Sequence, residues 1–143
     1  MIAASRPSTL AVIGGRLALA SLFLLGGLNK LLNYAATLES MEAVGLSPAP
    51  LLLPIVIGLE LIGGALVAVG RRGASPAALA LAVFTLSTNL FFHDFWNMDG
   101  EIVALELSLF FKNISIAGGL VFYAAVIGRF QRAAEAGKPS NER

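Results

Sequence analysis

The chain alternates four long apolar stretches with short polar segments. An α-helix needs about 20 mainly apolar residues to cross a hydrocarbon core about 30 Å thick. Four stretches of about that length run from Leu10 to Leu32, from Leu51 to Val69, from Pro76 to Phe92 and from Val103 to Ile127. The pattern predicts an all-α, integral membrane four-helix bundle. We expect one transmembrane domain over residues 1–130 and a polar cytoplasmic tail over residues 131–143.

The first connecting segment and the glycine pairs add detail to this bundle. Within residues 33–50, Leu38, Met41 and Val44 recur at helical spacing, which predicts a short helix lying in the membrane interface. Small residues allow helix backbones to approach closely in lipid. Pairs of glycines occur in three of the four spans, as Gly26-Gly27, Gly63-Gly64 and Gly118-Gly119. We therefore expect a tightly packed bundle.

The composition favours a lipid environment and excludes several classes of partner. Hydrophobic residues make up 57% of the chain and charged residues 13%, against about 45 to 50% and about 25% in soluble domains. The mean hydropathy is +0.79. A net charge of +1 creates no field that would attract nucleic acid. The chain has no cysteine, so it forms no disulfide or thiolate metal site, and any redox role requires a bound cofactor.

The charged residues between the spans predict the orientation of the protein. If the four spans alternate in direction, the loops on one side contain only acidic charges, namely Glu39, Glu42, Asp94, Asp99 and Glu101. The basic residues outside the spans fall on the other side, and they are Arg6, Arg71, Arg72, Arg129, Arg132, Lys138 and Arg143. Because Lys and Arg are enriched in cytoplasmic loops, we expect both termini in the cytoplasm and the chain in the inner (plasma) membrane.

Two ionisable residues lie deep within the predicted spans. Glu60 is in the middle of the second span, and Arg16 is in the cytoplasmic half of the first. A charge at the centre of a membrane helix costs roughly 2.5 to 3.5 kcal/mol on insertion scales, so it normally faces a partner inside the bundle. We therefore predict a buried ion pair between Arg16 and Glu60. Such a pair either takes part in function or only fixes the packing of the helices.

A second group of polar and aromatic residues gathers toward the outer side of the membrane. Its members supply hydrogen-bond donors, cations and a ring for a ligand head, and they are Lys30, Asn89, His93, Trp96, Lys112 and Asn113. Each also has a structural interpretation. Lys30 can extend to the lipid headgroups, Trp96 can belong to an interfacial aromatic belt, and His93 can cap its helix.

Metal chemistry is disfavoured by the residue count. One histidine and no cysteine supply neither a pair of haem ligands nor an ordinary zinc site. His93 with Asp94, Asp99 and Glu101 could hold only a weakly bound cation, and a solvated acidic surface is the better interpretation. We predict no metal site.

The order of these residues resembles the DoxX family of small four-helix membrane proteins. The matching motifs are Arg16 followed by Gly27-Leu28-Asn29-Lys30, Glu60-x-x-Gly-Gly, Arg71-Arg72, His93-x-Phe95-Trp96 and Phe111-Lys112-Asn113. The resemblance implies a membrane component linked to redox reactions, similar to subunits of thiosulfate:quinone oxidoreductases and to proteins associated with detoxifying oxidants. The resemblance agrees with a quinone as a non-covalently bound cofactor, and we expect no covalently bound cofactor.

Three functional hypotheses follow from the sequence. The first is a subunit of a membrane-associated oxidoreductase that interacts with a quinone or lipid-like ligand, with Glu60 and His93 as candidate catalytic residues for proton transfer. The second is a non-catalytic scaffold that recruits a soluble redox or stress-response partner. The third is a small proton-coupled transporter, for which four short helices leave little room. A homo-oligomer is compatible with all three.

Overall fold

The computed structural model of the protein describes residues 9–136 as a bundle of helices. The elements are α1 (Thr9–Leu32), α2 (Tyr34–Ala43), α3 (Ala49–Val69), α4 (Ala74–Phe92), a 3-10 turn (Phe95–Asn97) and α5 (Ile102–Ala136). Helices α1, α3, α4 and α5 are each long and apolar enough to cross a membrane. The described residues contain no β-strand. The predicted all-α membrane bundle is therefore confirmed.

The predicted spans match the observed helices except at their ends. Helix α5 continues to Ala136, so the first part of the predicted polar tail is helical. The remainder of that tail lies outside the described residues, as do three of the basic residues used to predict orientation, Arg6, Lys138 and Arg143. Gly70 ends α3 at a positive φ of 68°, which suits glycine.

The short helix predicted within residues 33–50 is present as α2. Its residue Met41 is buried against Ala49, Leu53 and Ile57, which lie in the first half of α3. These apolar contacts hold α2 over one end of the bundle, beside the loops that carry the acidic residues. We call this end the acidic end, and the opposite end, which carries Arg71 and Arg72, the basic end.

The helices pack as two antiparallel pairs. Helix α1 packs mainly on α3 and α4 packs mainly on α5, while α3 and α4 join the two pairs. Helices α1 and α5 touch at few positions, so the bundle is loosest between them. The core between the pairs contains Phe23, Val67, Leu81 and Leu120. Large apolar side chains elsewhere point outward, as expected where lipid is the solvent.

The orientation of the bundle can be tested directly because the natural chain has no cysteine. Glu101 and Arg72 are exposed at the acidic and basic ends, respectively. We expect a membrane-impermeant maleimide to label Glu101→Cys in intact spheroplasts, and Arg72→Cys only after permeabilisation, because basic segments stay in the cytoplasm. Labelling in the reverse order would contradict the predicted cytoplasmic termini.

Candidate functional site

A buried ion pair joins α1 to α3 in the acidic half of the bundle. Nζ of Lys30 donates a hydrogen bond to Oε1 of Glu60 at 2.9 Å. The Glu60 side chain is only 6% exposed, whereas that of Lys30 is 28% exposed. Gly26 makes room for the pair, because a β-carbon at that position would lie 3.3 Å from Oε1 of Glu60. The missing side chain of Gly26 thus allows the carboxylate to sit against α1.

The predicted ion pair between Arg16 and Glu60 is wrong. Because α1 and α3 are antiparallel, Arg16 lies beside Gly70 at the basic end. Gly70 follows Glu60 by ten residues, which is about 15 Å along α3. The guanidinium group instead lies at the C-terminal end of α3, where the helix dipole favours a cation. Nε of Arg16 is buried and makes no hydrogen bond among the described residues.

A cavity of about 570 Å³ lies in the acidic half of the bundle and has Lys30 and Glu60 in its wall. Its apolar lining comes from α1, α2, α3 and α4, and includes Phe23, Met41, Val56, Phe84 and Phe92. The polar residues in the wall are Lys30, Thr37, Ser40, Glu60, Thr85, Ser87, Thr88, His93 and Asn113. Some lining side chains, such as Phe91, are exposed, so the cavity is open to the surroundings of the bundle.

Glu60, which lines the cavity, has one buried carboxylate oxygen, Oε2, without a hydrogen-bond partner among the described residues. The five hydroxyl groups of the lining all donate to carbonyl oxygens of their own helices, and they belong to Thr37, Ser40, Thr85, Ser87 and Thr88. The cavity therefore combines an apolar wall with one carboxylate oxygen that lacks a donor.

A second polar cluster connects α4 to α5. Asn89 is 2% exposed, and its Nδ2 donates to the carbonyl oxygen of Phe110 at 3.1 Å. Its Oδ1 accepts from Nδ2 of Asn113 at 2.8 Å. Of these two asparagines, only Asn113 is in the wall of the cavity. Asn89 thus holds Asn113 and the two helices in place and lies behind the wall.

His93 lies in the wall of the cavity and pairs with Glu106 on α5. Nδ1 of His93 and Oε2 of Glu106 are 2.7 Å apart, and both side chains are largely buried. This contact fixes the imidazole ring and leaves its Nε2 for a further partner. Sequence reasoning did not pair these residues. The signal was available, because both residues flank the same short connection: His93 directly follows α4, and Glu106 lies in the second turn of α5.

Besides Asn89, two more of the predicted ligand-binding residues, Trp96 and Lys112, lie outside the cavity. Lys112 is exposed on α5 and makes no hydrogen bond or ion pair within the part of the chain that the structure describes. Asn113 faces inward, and adjacent residues of a helix point about 100° apart, so Lys112 faces outward. Trp96 is 53% exposed and packs edge-to-face on Phe95 and Phe110. Its position fits the alternative interpretation as an aromatic belt residue.

The acidic end shows no grouping of metal ligands. Across residues 10–129, whose side chains the structure describes, no three histidine, aspartate or glutamate side chains lie close enough together to hold a metal ion. The alternative cation site at His93, Asp94, Asp99 and Glu101 is therefore not assembled in this structure. Nδ1 of His93 faces Glu106 on α5, and Asp94 accepts a hydrogen bond from Asn97.

The fold and the site define a multi-pass membrane protein with a ligand-sized cavity inside a four-helix bundle. The chain belongs to the DoxX family, whose family model matches residues 11–94. This range contains three residues of the cavity wall that carry ionisable groups, namely Lys30, Glu60 and His93.

Two proteins of Escherichia coli K12 are similar to this chain over most of its length. The inner membrane protein YphA is 30% identical over 85% of this chain and 84% of its own length. The inner membrane protein YqjF is 35% identical over 79% of this chain and 81% of its own length. No solved structure matches the chain significantly. The chain is an integral protein of the inner membrane, in agreement with its four candidate spans.

Proposed function

We propose that this protein binds a quinone or a similar lipid-soluble ring in the cavity of the acidic half, as a membrane subunit of a larger oxidoreductase system. The observation that carries the proposal is the cavity of about 570 Å³, in which a nearly buried Lys30–Glu60 ion pair faces an apolar lining. Small-molecule sites are commonly about 300 to 1,000 Å³, mainly apolar, with few polar groups that orient the ligand.

The polar groups of the wall suit the head of such a ligand. Lys30 has three N–H donors and uses one of them on Glu60, so two can serve a ligand carbonyl. Nε2 of His93 and the amide of Asn113 offer further hydrogen bonds. A tail made of isoprene units would lie along the apolar lining and pass out between the helices.

The electrons for such a system come from a separate protein. The chain has no cysteine and one histidine, and a bound quinone would supply the redox chemistry that its side chains lack. The ionisable groups in the wall are Lys30, Glu60 and His93, and we assign proton transfer to Glu60 and His93. We therefore assign this chain the binding of the ligand and the handling of protons, and we assign electron supply to a soluble or membrane redox partner.

The test is to identify small molecules retained by the purified protein. The protein is extracted with its native lipids, and organic extracts are examined by mass spectrometry for isoprenoid quinones. We expect quinone to be enriched relative to bulk membrane lipid. Val56→Trp should remove most of it because Val56 lies in the cavity wall. Val83→Trp is the matched control, because Val83 is 66% exposed on the outer surface of α4.

Two results would contradict the proposal. One is the absence of quinone from the extracts together with no binding of an added short-chain quinone. The other is equal retention in wild type and Val56→Trp. If either occurs and crosslinking in membranes captures a defined soluble protein, the scaffold hypothesis replaces this proposal.

A further inference from the structure

The carboxylate of Glu60 determines which hydrogen-bonding group a ligand of the cavity should carry. Its side chain is 94% buried, since 6% is exposed, and Oε2 has no hydrogen-bond partner among the described side chains, residues 10–129. An unsatisfied polar atom away from water is costly. Its other oxygen, Oε1, accepts a hydrogen bond from Nζ of Lys30 at 2.9 Å. An ionised carboxylate accepts hydrogen bonds and does not donate them, so Oε2 requires a donor.

The protein provides few donors for this atom. The five hydroxyl groups in the cavity wall are already directed at carbonyl oxygens of their own helices. The amide nitrogen of Asn113 donates to Asn89, and Nδ1 of His93 faces Glu106. No donor of the described residues reaches Oε2 in this structure, so a hydrogen bond to this atom would come from a guest molecule or from water.

We infer that the cavity selects a neutral, lipid-soluble ligand with a hydroxyl group that donates to Oε2 of Glu60 and accepts from Lys30. A hydroxyl group can do both at once, because it has one donor and two acceptor sites. A cationic ligand is disfavoured, because the ammonium group of Lys30 lies 2.9 Å from the same carboxylate. The mainly apolar lining favours a lipid-soluble ligand over a small polar solute.

This inference rests on the proposed function and narrows it. Of the two redox forms of a quinone, only the reduced quinol carries hydroxyl donors, whereas the oxidised form offers carbonyl acceptors alone. The cavity should therefore hold the quinol more tightly than the quinone. Hydrogen bonds to charged groups contribute about 1.5 to 3 kcal/mol, which corresponds to a preference of about tenfold or more.

The test compares three matched ligands on the full-length protein in lipid nanodiscs under anaerobic conditions. The ligands are a decyl-substituted dimethoxybenzoquinone, its quinol, and the dimethyl ether of that quinol, which keeps the ring but has no donor. We expect the quinol to bind wild type at least about tenfold more tightly than either of the others. In Glu60→Gln the preference should disappear or reverse, because an amide can donate to a carbonyl. Glu101→Gln, which changes an exposed carboxylate outside the cavity, should keep the preference.

The outcomes separate this inference from the proposed function. Equal binding of all three ligands to wild type, or tighter binding of the quinone, would overturn the inference while leaving a quinone site in place. A quinol preference that persists in Glu60→Gln would overturn the role of Glu60. No binding of any of the three would overturn the proposed function and the inference together. The three binding measurements on wild type test the preference for the quinol even if Glu60→Gln does not fold.

Discussion

Lys30→Leu should destabilise the protein much more than Glu60→Leu, although the two changes remove the same ion pair. Without Lys30, the carboxylate of Glu60 stays inside the bundle, where its side chain is 6% exposed. Breaking a buried pair in this way costs about 3 to 5 kcal/mol. Without Glu60, the Lys30 side chain, which is 28% exposed, can extend its ammonium group toward the acidic end and water. We expect that loss to be about 1 kcal/mol.

The measurement is the free energy of unfolding in bicelles, with the amount of folded protein in membranes as a second readout. The double variant Lys30→Leu with Glu60→Leu should recover most of the stability, because well-packed apolar residues replace buried ion pairs at little cost. Lys112→Leu is the matched control, since it removes an exposed lysine of α5 and should change little. Equal losses in the two single variants, or no recovery in the double, would contradict a buried pair.

The course of the chain through the membrane is predictable because lipid imposes a strong rule. Every backbone group in the hydrocarbon core must be satisfied internally, so long apolar stretches become helices. The boundaries near Leu32, Val69 and Phe92 could be read from the sequence for this reason and appear in the structure. The position of α2 was also predictable, since Leu38 and Met41 mark one face that must be buried.

The pairing of polar side chains inside the bundle was less predictable, because apolar composition does not fix the register or rotation of a helix. Arg16 and Lys30 share one face of α1, and either could be imagined beside Glu60. The contacts of Gly26 and Gly27 with α3 set the level at which the two helices meet, and at this level Lys30 is beside Glu60. A one-residue difference in rotation likewise separates Lys112, which faces outward, from Asn113 in the cavity wall.

The close contact between α1 and α3 should be broken by Gly27→Leu. A β-carbon at position 27 would lie 2.9 Å from Cγ of Leu61 and 3.1 Å from Cβ of Glu60. The remaining atoms of a leucine have no space, so the two helices must separate. Overpacking a well-packed interface typically costs about 1 to 3 kcal/mol and sometimes more. We expect a loss of about 3 kcal/mol in the free energy of unfolding, together with loss of ligand binding as Glu60 moves away from Lys30.

Gly14→Leu provides a matched control for this change. Gly14 is on the same helix, and a β-carbon there would meet no atom within 4 Å. Replacing a glycine in a helix removes a propensity cost of about 1 kcal/mol, so Gly14→Leu should leave stability unchanged or raise it. Gly27→Ala should fall between wild type and Gly27→Leu, because only its single added carbon is crowded. If Gly27→Leu and Gly14→Leu behave alike in unfolding and ligand binding, α1 does not meet α3 at this register, and the position of Glu60 beside Lys30 is wrong as well.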